Sequence, residues 1–243
     1  MKLPPDKRPF VAPSPGPMTL DHERWASQLH LSNFVNAYYQ YRDLTSLPDC
    51  HSVLVVGPGQ RLGVTVLASR GYRVTTYDVD SRLAPDVVGS VHDMSAFANS
   101  QFDAVIASHV LEHLAESYLD PSLDELARVA RYALIYVPVA GRHAQFRFAP
   151  GFRGIDASLI VDLFPWWKRP DGLTPLWSEG QHFWELGLRG FRRRDLRKRF
   201  ERLFDILAEY RNRDWTPSHN YILRSKRAVD RRKAASHSEG DER

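Results

Sequence analysis

The chain has 243 residues, 43% of them hydrophobic and 26% charged, with a formal net charge of +4 and one cysteine, Cys50. This length and apolar content suit one sizeable core with decorations, and a lone cysteine excludes an intramolecular disulfide or any multi-cysteine metal site. No apolar run approaches the roughly 18 residues needed to cross a bilayer, and Met1 to Pro17 is proline-rich and polar where a signal peptide is apolar, so a cytoplasmic protein is expected.

Residues 1–19 carry Pro4, Pro5, Pro9, Pro13, Pro15 and Pro17 and read as a disordered leader; a folded domain is expected over 20–224. From Leu20 to Leu44, apolar and aromatic residues recur at helical intervals, with Asp21 as N-cap and Pro48 ending the element. Val53-Leu54-Val55-Val56 followed by Gly57-Pro58-Gly59 reads as a buried parallel strand stopping at a tight turn, where glycine lets backbone approach a ligand. Leu62 to Arg70 is a helix closed by Gly71, its N-terminal amides available to an anionic group. A second strand, from Tyr72, ends on Asp78, about twenty residues after the glycines, where an open α/β sheet places a carboxylate for a ribose diol. Asp80 competes for this role, but Asp78 directly follows the apolar run. A dinucleotide fingerprint wants a third glycine where Leu62 stands, and Gly63 comes one residue late, which weakens an NAD or FAD reading.

Pro85 to Ser90 is a short third strand with its turn, and Met94 to Asn99 a loop or short helix. Phe102 to Ser108 is the fourth strand, Leu119 to Arg131 a helix with Pro121 near its start, and Ala133 to Val139 the fifth strand. Gly141 to Gly190 breaks the rhythm. It holds nine Phe or Trp residues and no clear element, which marks it as a substrate-binding insertion, although aromatics covering the sheet edge would explain the composition too. Arg192 to Arg202 is the last helix, Phe204 to Arg211 and His219 to Arg224 are closing strands, and 225–243 reads as a disordered tail. Arg189 to Arg213 holds ten Lys or Arg against four acids. Such a run could follow a phosphate backbone, but Leu196, Phe200, Leu203 and Phe204 at helical spacing turn the charges outward, and a solvated face is preferred.

Gly57-Pro58-Gly59, Asp78, Phe102-Asp103 and Val110-Leu111-Glu112-His113, in this order and at these intervals, resemble class I S-adenosylmethionine (SAM)-dependent methyltransferases over roughly Cys50 to Val139. Gln181 to Gly187 and Pro217 to Leu223 are similar to an uncharacterised bacterial methyltransferase-domain group. The resemblance implies an α/β, Rossmann-like sheet with helices on both faces, an N-terminal helical lid that could bring Tyr38, Tyr41 or Arg42 to the SAM carboxylate, although packing of its aromatics against the sheet is the preferred reading, and the aromatic-rich insertion after strand five. It implies SAM as cofactor, with Gly57, Pro58 and Gly59 at its methionine part, Asp78 and Val79 at the ribose, Ser90 and Val91 at the adenine, and Ser108 and His109 at the end of strand four. Three positions depart from the family pattern: Val55 replaces a usual acid, Arg61 a frequent third glycine, and Ser90 a common Asp.

The expected reaction is methyl transfer to an oxygen or nitrogen of a small-molecule or glycan acceptor, a nucleic-acid acceptor being less favoured. The sulfonium is already activated, so the protein contributes positioning and, for a hydroxyl acceptor, proton removal. His182 and Glu185, three residues apart among the aromatics, are the candidates for that step, on the expectation of a helical turn presenting both on one face, although a structural pair fastening the segment to the sheet explains the spacing slightly better. Two other readings compete. His109-Val110-Leu111-Glu112-His113 matches the His-x-x-Glu-His pattern of inverted zinc peptidases, but it follows a strand instead of lying within a helix, so no metal site is expected. The departures at Val55, Arg61 and Ser90 would also suit a SAM-binding module without catalysis.

Overall fold

The computed structural model describes residues 29–148, 157–163, 170, 176 and 182–227. The expected leader, the Asp21 cap and the tail beyond Arg227 lie outside the described residues. Along the chain come α1 (Leu31–Thr45), β1 (Ser52–Val56), α2 (Leu62–Ser69), β2 (Arg73–Asp78), β3 (Val87–Val88), β4 (Phe102–Ser108), α3 (Glu116–Val129), β5 (Ala130–Pro138), β6 (Arg142–Phe148), β7 (Ala157–Leu163), α4 (Arg193–Glu201), β8 (Phe204–Arg211) and β9 (Ser218–Ser225). Short 3-10 turns occur at Ser81–Leu83 and Leu111–His113.

One sheet has the order β3-β2-β1-β4-β5-β9-β8, with β1 to β5 parallel and β9 antiparallel to both its neighbours. Its central strands β1, β4 and β5 are buried on both faces because both are covered. Leu54, Val56, Val105 and Ala107 pack with Leu119, Leu123 and Leu126 of α3 and Leu196 and Phe200 of α4. The alternate residues Val53, Val55, Ala104 and Ile106 pack on the other side with Leu44 of α1 and Leu67 of α2. The Rossmann-like architecture expected from the sequence is therefore present.

Several boundaries differ from expectation: α1 begins at Leu31, because His30 is extended and serves as its N-cap, and not at Leu20. Helix α3 starts at Glu116, placing Pro121 inside it, and ends at Val129, because Ala130 is already extended and pairs with Phe102. Strand β3 shrinks to two residues: Pro85 has no N–H to give, and the Asp86 carboxylate itself takes the Thr76 N–H and hydroxyl, each at 2.7 Å. Ser225, expected in the tail, is the buried last residue of β9 and donates its hydroxyl to the Ala127 carbonyl at 2.6 Å. The aromatic segment after β5 is not without elements, since β6 and β7 pair as a separate antiparallel ribbon. Gln145 and Arg147 tie that ribbon to Arg213 and Asp214.

Candidate active site

Strands β2 and β3 extend the sheet on one side of β1 while β4 continues on the other, so the order reverses between β1 and β4. In an open α/β sheet that reversal leaves a crevice at the carboxyl ends of the strands, where ligands bind. The Gly57-Pro58-Gly59 turn enters it with positive φ at Gly57 (65°) and Gly59 (52°). A Cβ on Gly57 would lie 2.6 Å from Cγ2 of Val110, so the turns after β1 and β4 can meet only over a residue without a side chain. Arg61, standing where a third glycine is frequent, adopts the same left-handed backbone at the N-cap of α2 (φ 63°). That costs about 1–2 kcal/mol for a residue with a Cβ, and its guanidinium donates to the Ala84 carbonyl.

Asp78 ends β2 and accepts the Asp80 backbone N–H at 2.9 Å. Burial raises its carboxyl above the ordinary range, and the Asp80 charge adds to this, while backbone N–H groups of Asp80 and Val79 and the charge of His113 oppose it. The competitor Asp80 is occupied by a bidentate contact with Arg82 and by capping the Arg82 N–H. Asp78 is thus the carboxylate left facing the crevice, beside an exposed Val79. Ser90 Oγ lies 2.7 Å from His92 Nδ1, and the Val91 side chain is buried in the core, so only the Val91 backbone can border an adenine ring.

Helix α1 borders the same edge through residues the sequence did not single out. Ser108 Oγ donates to Asn36 Oδ1 and Asn33 Nδ2 to Gln60 Oε1, both at 2.9 Å. Arg42, one of three residues that a lid could bring to the SAM carboxylate, stacks on Tyr39 and Tyr210 and pairs with the buried Asp43 at 2.7 Å, which also accepts the Tyr136 and Tyr210 hydroxyls. Arg42 therefore fastens α1 to the sheet. Only the asparagine spacing Asn33 to Asn36, one turn apart on the helix, could have signalled the crevice side.

Beyond β4 lies a cluster of titratable groups. His109 takes a left-handed backbone (φ 55°), and its ring lies 5.0 Å from that of Trp215, with Nε2 3.2 Å from Ser218 Oγ and Nδ1 3.4 Å from Glu112 Oε1. The ring is engaged there, so a cofactor contact from His109 falls to its backbone. Glu112 is fully buried, and among the described residues the nearest donor to its carboxylate is His109 Nδ1, whose 3.4 Å approach to Oε1 is too long and poorly aligned for more than a weak hydrogen bond. Burial would raise this carboxyl, but His109 and His113 hold it below the usual range.

The return from the aromatic segment is pinned to this turn by backbone bonds. Phe183 N–H donates to the Glu112 carbonyl at 2.7 Å, Leu186 N–H to Pro138 and Ala140 N–H to Leu186, both at 2.9 Å. His182 and Glu185 consequently arrive at the edge of the crevice, joined through Nδ1 and Oε1 at 2.8 Å, though on irregular backbone and not the helical turn expected. A carboxylate can only accept, so Nδ1 carries the proton and the neutral ring keeps its lone pair on Nε2. Burial lowers the affinity of His182 for a proton, but Glu185 and Glu112 outweigh it and the net shift is upward. Trp184 stacks on Phe191 within the core, ring centroids 4.9 Å apart, and lines no site. A cleft of about 860 Å³, lined in part by Arg193, Arg197, Glu209 and Arg211, includes none of Gly57, Asp78 or His182 and is separate from the crevice.

Residues 54–133 match a family model described as a methyltransferase domain, a span that carries the glycine turn, Asp78 and the turn after β4. The matched span, a third of the chain, is a methyltransferase domain, and the sheet it belongs to has the class I fold, whose enzymes use SAM as methyl donor. The crevice suits that donor: backbone that a single Cβ would close off, a carboxylate at the end of β2, and the first amides of α2, which lack intrahelical acceptors. Among solved structures, the N-methyltransferase NodS from Bradyrhizobium japonicum WM9, in complex with S-adenosyl-L-homocysteine, is 9% identical, with a TM-score of 0.52 over 86% of this chain and 98% of that one. The PH0226 protein from Pyrococcus horikoshii OT3 is 11% identical (TM-score 0.51, 82% of this chain and 93% of that one). A putative zinc-dependent alcohol dehydrogenase from Rhodobacter sphaeroides is 11% identical (TM-score 0.52, 77% and 88%). At these identities the likeness is one of fold. No curated protein matches the chain in sequence.

Proposed function

We propose that the chain transfers a methyl group from SAM to an oxygen or nitrogen of a small-molecule or sugar-type acceptor lying between the glycine turn and His182. The observation that carries this reading is the cluster of Glu112, His113, His182 and Glu185 next to the crevice, close enough for the His113 charge to act on Asp78. When bound, SAM supplies a methyl group on an activated sulfonium. Asp78 accepts the ribose hydroxyls, the Gly57 and Gly59 backbone lets the donor approach the sheet, and the α2 amides receive its carboxylate. His182, its tautomer set by Glu185, takes the acceptor proton on Nε2. The ion pairs of α4 favour a small acceptor over a nucleic acid: Arg193 and Arg197 meet Glu209, and Arg199 meets Glu116 and Asp120, so these charges are already engaged.

Calorimetry with S-adenosylhomocysteine tests the cofactor half of this reading. Asp78→Ala should weaken binding by about 2–3 kcal/mol, for the loss of two charge-assisted hydrogen bonds, with the fold intact. No binding by the unaltered protein, or equal affinity in the variant, would sink the assignment.

A further inference from the structure

Glu112, His113 and His182 come from two distant stretches of chain, yet each brings one potential ligand atom within 4.8 Å of the other two. We infer that these three side chains form a binding site for one divalent cation of the zinc class, with open coordination positions facing the acceptor. The donor set is two imidazoles and one carboxylate, which suits a transition cation held by three protein ligands with further positions left for water or substrate. This differs from the pairing that the His-x-x-Glu-His pattern would suggest. His109 is turned toward Trp215 and Ser218, and the partner of His113 is the remote His182, with ring centroids 4.9 Å apart.

Three independent features of the cluster point the same way. Glu112 is wholly buried, and among the described residues neither oxygen has a well-formed hydrogen bond, His109 standing off at 3.4 Å, the condition of a carboxylate whose partner is not a protein donor. Glu185 holds His182 through Nδ1 at 2.8 Å, which leaves Nε2 for a cation and reproduces the carboxylate–histidine–metal relay that fixes ligand rings elsewhere. The spacing is also close to what is needed: ligands about 2.1 Å from a tetrahedral zinc lie about 3.4 Å from each other, and these atoms lie within 4.8 Å of one another. A charged cluster of Glu112 with protonated histidines is the competing arrangement, and it would hold no metal.

The site stands on these residues alone, but its purpose rests on the methyl-transfer reading: a cation there would bind the acceptor heteroatom and lower its pKa so that its proton leaves to solvent water, in place of proton removal by His182. Turnover of a His182 variant cannot separate those roles, so the test reads the metal directly. Full-length protein, stripped with chelator and shown to bind S-adenosylhomocysteine, is titrated with Co²⁺ and then Zn²⁺. The expected result is one cobalt per chain with visible d–d absorption that zinc displaces. Glu185→Gln should weaken cobalt binding about 10–100-fold, and His113→Ala and His182→Ala should each abolish the stoichiometric site, while the exposed His51→Ala leaves it unchanged. Absence of a saturable site in protein that binds S-adenosylhomocysteine would overturn the inference and leave the methyltransferase reading standing. So would a site whose spectrum and affinity persist in both histidine variants. Retained circular dichroism and S-adenosylhomocysteine binding in His182→Ala, whose side chain is partly exposed, guard against loss of fold as the cause.

Discussion

Glu209 on β8 and Glu112 on the turn after β4 both bury their carboxylates beside histidine, and their surroundings differ in every other respect. Glu209 receives Arg193, Arg197 at 2.5 Å and His219 at 3.0 Å, and although burial opposes it, these partners hold its carboxyl down at about 2. Glu112, among the described residues, has only the long 3.4 Å contact with His109. One carboxylate joins α4 to the closing strands; the other sits at the topological switch point with lone pairs unassigned. Folding alone explains the first, since every buried charge there is matched. It does not explain the second, and unmatched buried polar groups are where a ligand is to be sought.

The largest effect expected from breaking this contrast is on turnover. Once an acceptor is found, His182→Ala and His182→Gln should each lower the rate about 10²–10⁴-fold, the range for losing proton removal from the acceptor, with S-adenosylhomocysteine affinity within about threefold of the unaltered protein. Rates within a few-fold of normal in a folded variant would remove the cluster from the chemistry and make Glu112 a structural oddity.

Next in size is the stability carried by Glu209. Breaking a buried ion pair costs about 3–5 kcal/mol, but Arg193 and Arg197 are partly exposed and can turn to water, so about 2–3 kcal/mol is expected for Glu209→Ala by urea unfolding. The pH dependence follows from the depressed carboxyl. A group whose folded pKa lies near 2, against the ordinary value of 4.5, stabilises fully above the ordinary value and loses that contribution as pH falls toward 2. The stability gap between the unaltered protein and Glu209→Gln should therefore narrow between those limits. A gap that stays constant would mean that packing, and not charge, is what Glu209 supplies.

The sequence made the sheet legible because burial on both faces leaves unbroken apolar runs, and it made the glycine turn and Asp78 legible because their spacing is imposed by one strand–helix–strand unit. β8 was readable to the residue. The elements that went astray are those decided by distant partners. Ala130 and Arg131 read as helix until Phe102 is seen pairing beside them, and the ribbon β6–β7 is hidden by aromatic composition that suits an irregular segment equally well. The site divides along the same line. Asp78 and the His182–Glu185 pair could be found by local spacing, whereas the meeting of His182 with Glu112 and His113 depends on the Phe183 backbone bond to Glu112, and Arg42 was drawn away from the crevice by an Asp43 that contacts two tyrosines from β5 and β8.

The smallest expected effect is the sharpest test of the comparison. In metal-free protein at about pH 8, above the ordinary histidine range, Glu112→Gln removes a buried charge while keeping the shape of the side chain. Two terms oppose each other: relief of desolvation favours the variant, and loss of the contact with His109 disfavours it. Neither is backed by a well-formed hydrogen bond to the carboxylate, so the net change in unfolding free energy should stay within about 1 kcal/mol, far below that for Glu209→Ala. Stoichiometric metal added before unfolding should then stabilise the unaltered protein and not the variant, because only a state that binds the cation gains from it. A loss in the metal-free variant as large as that of Glu209→Ala would place Glu112 among the structural carboxylates, and the contrast between the two regions would collapse.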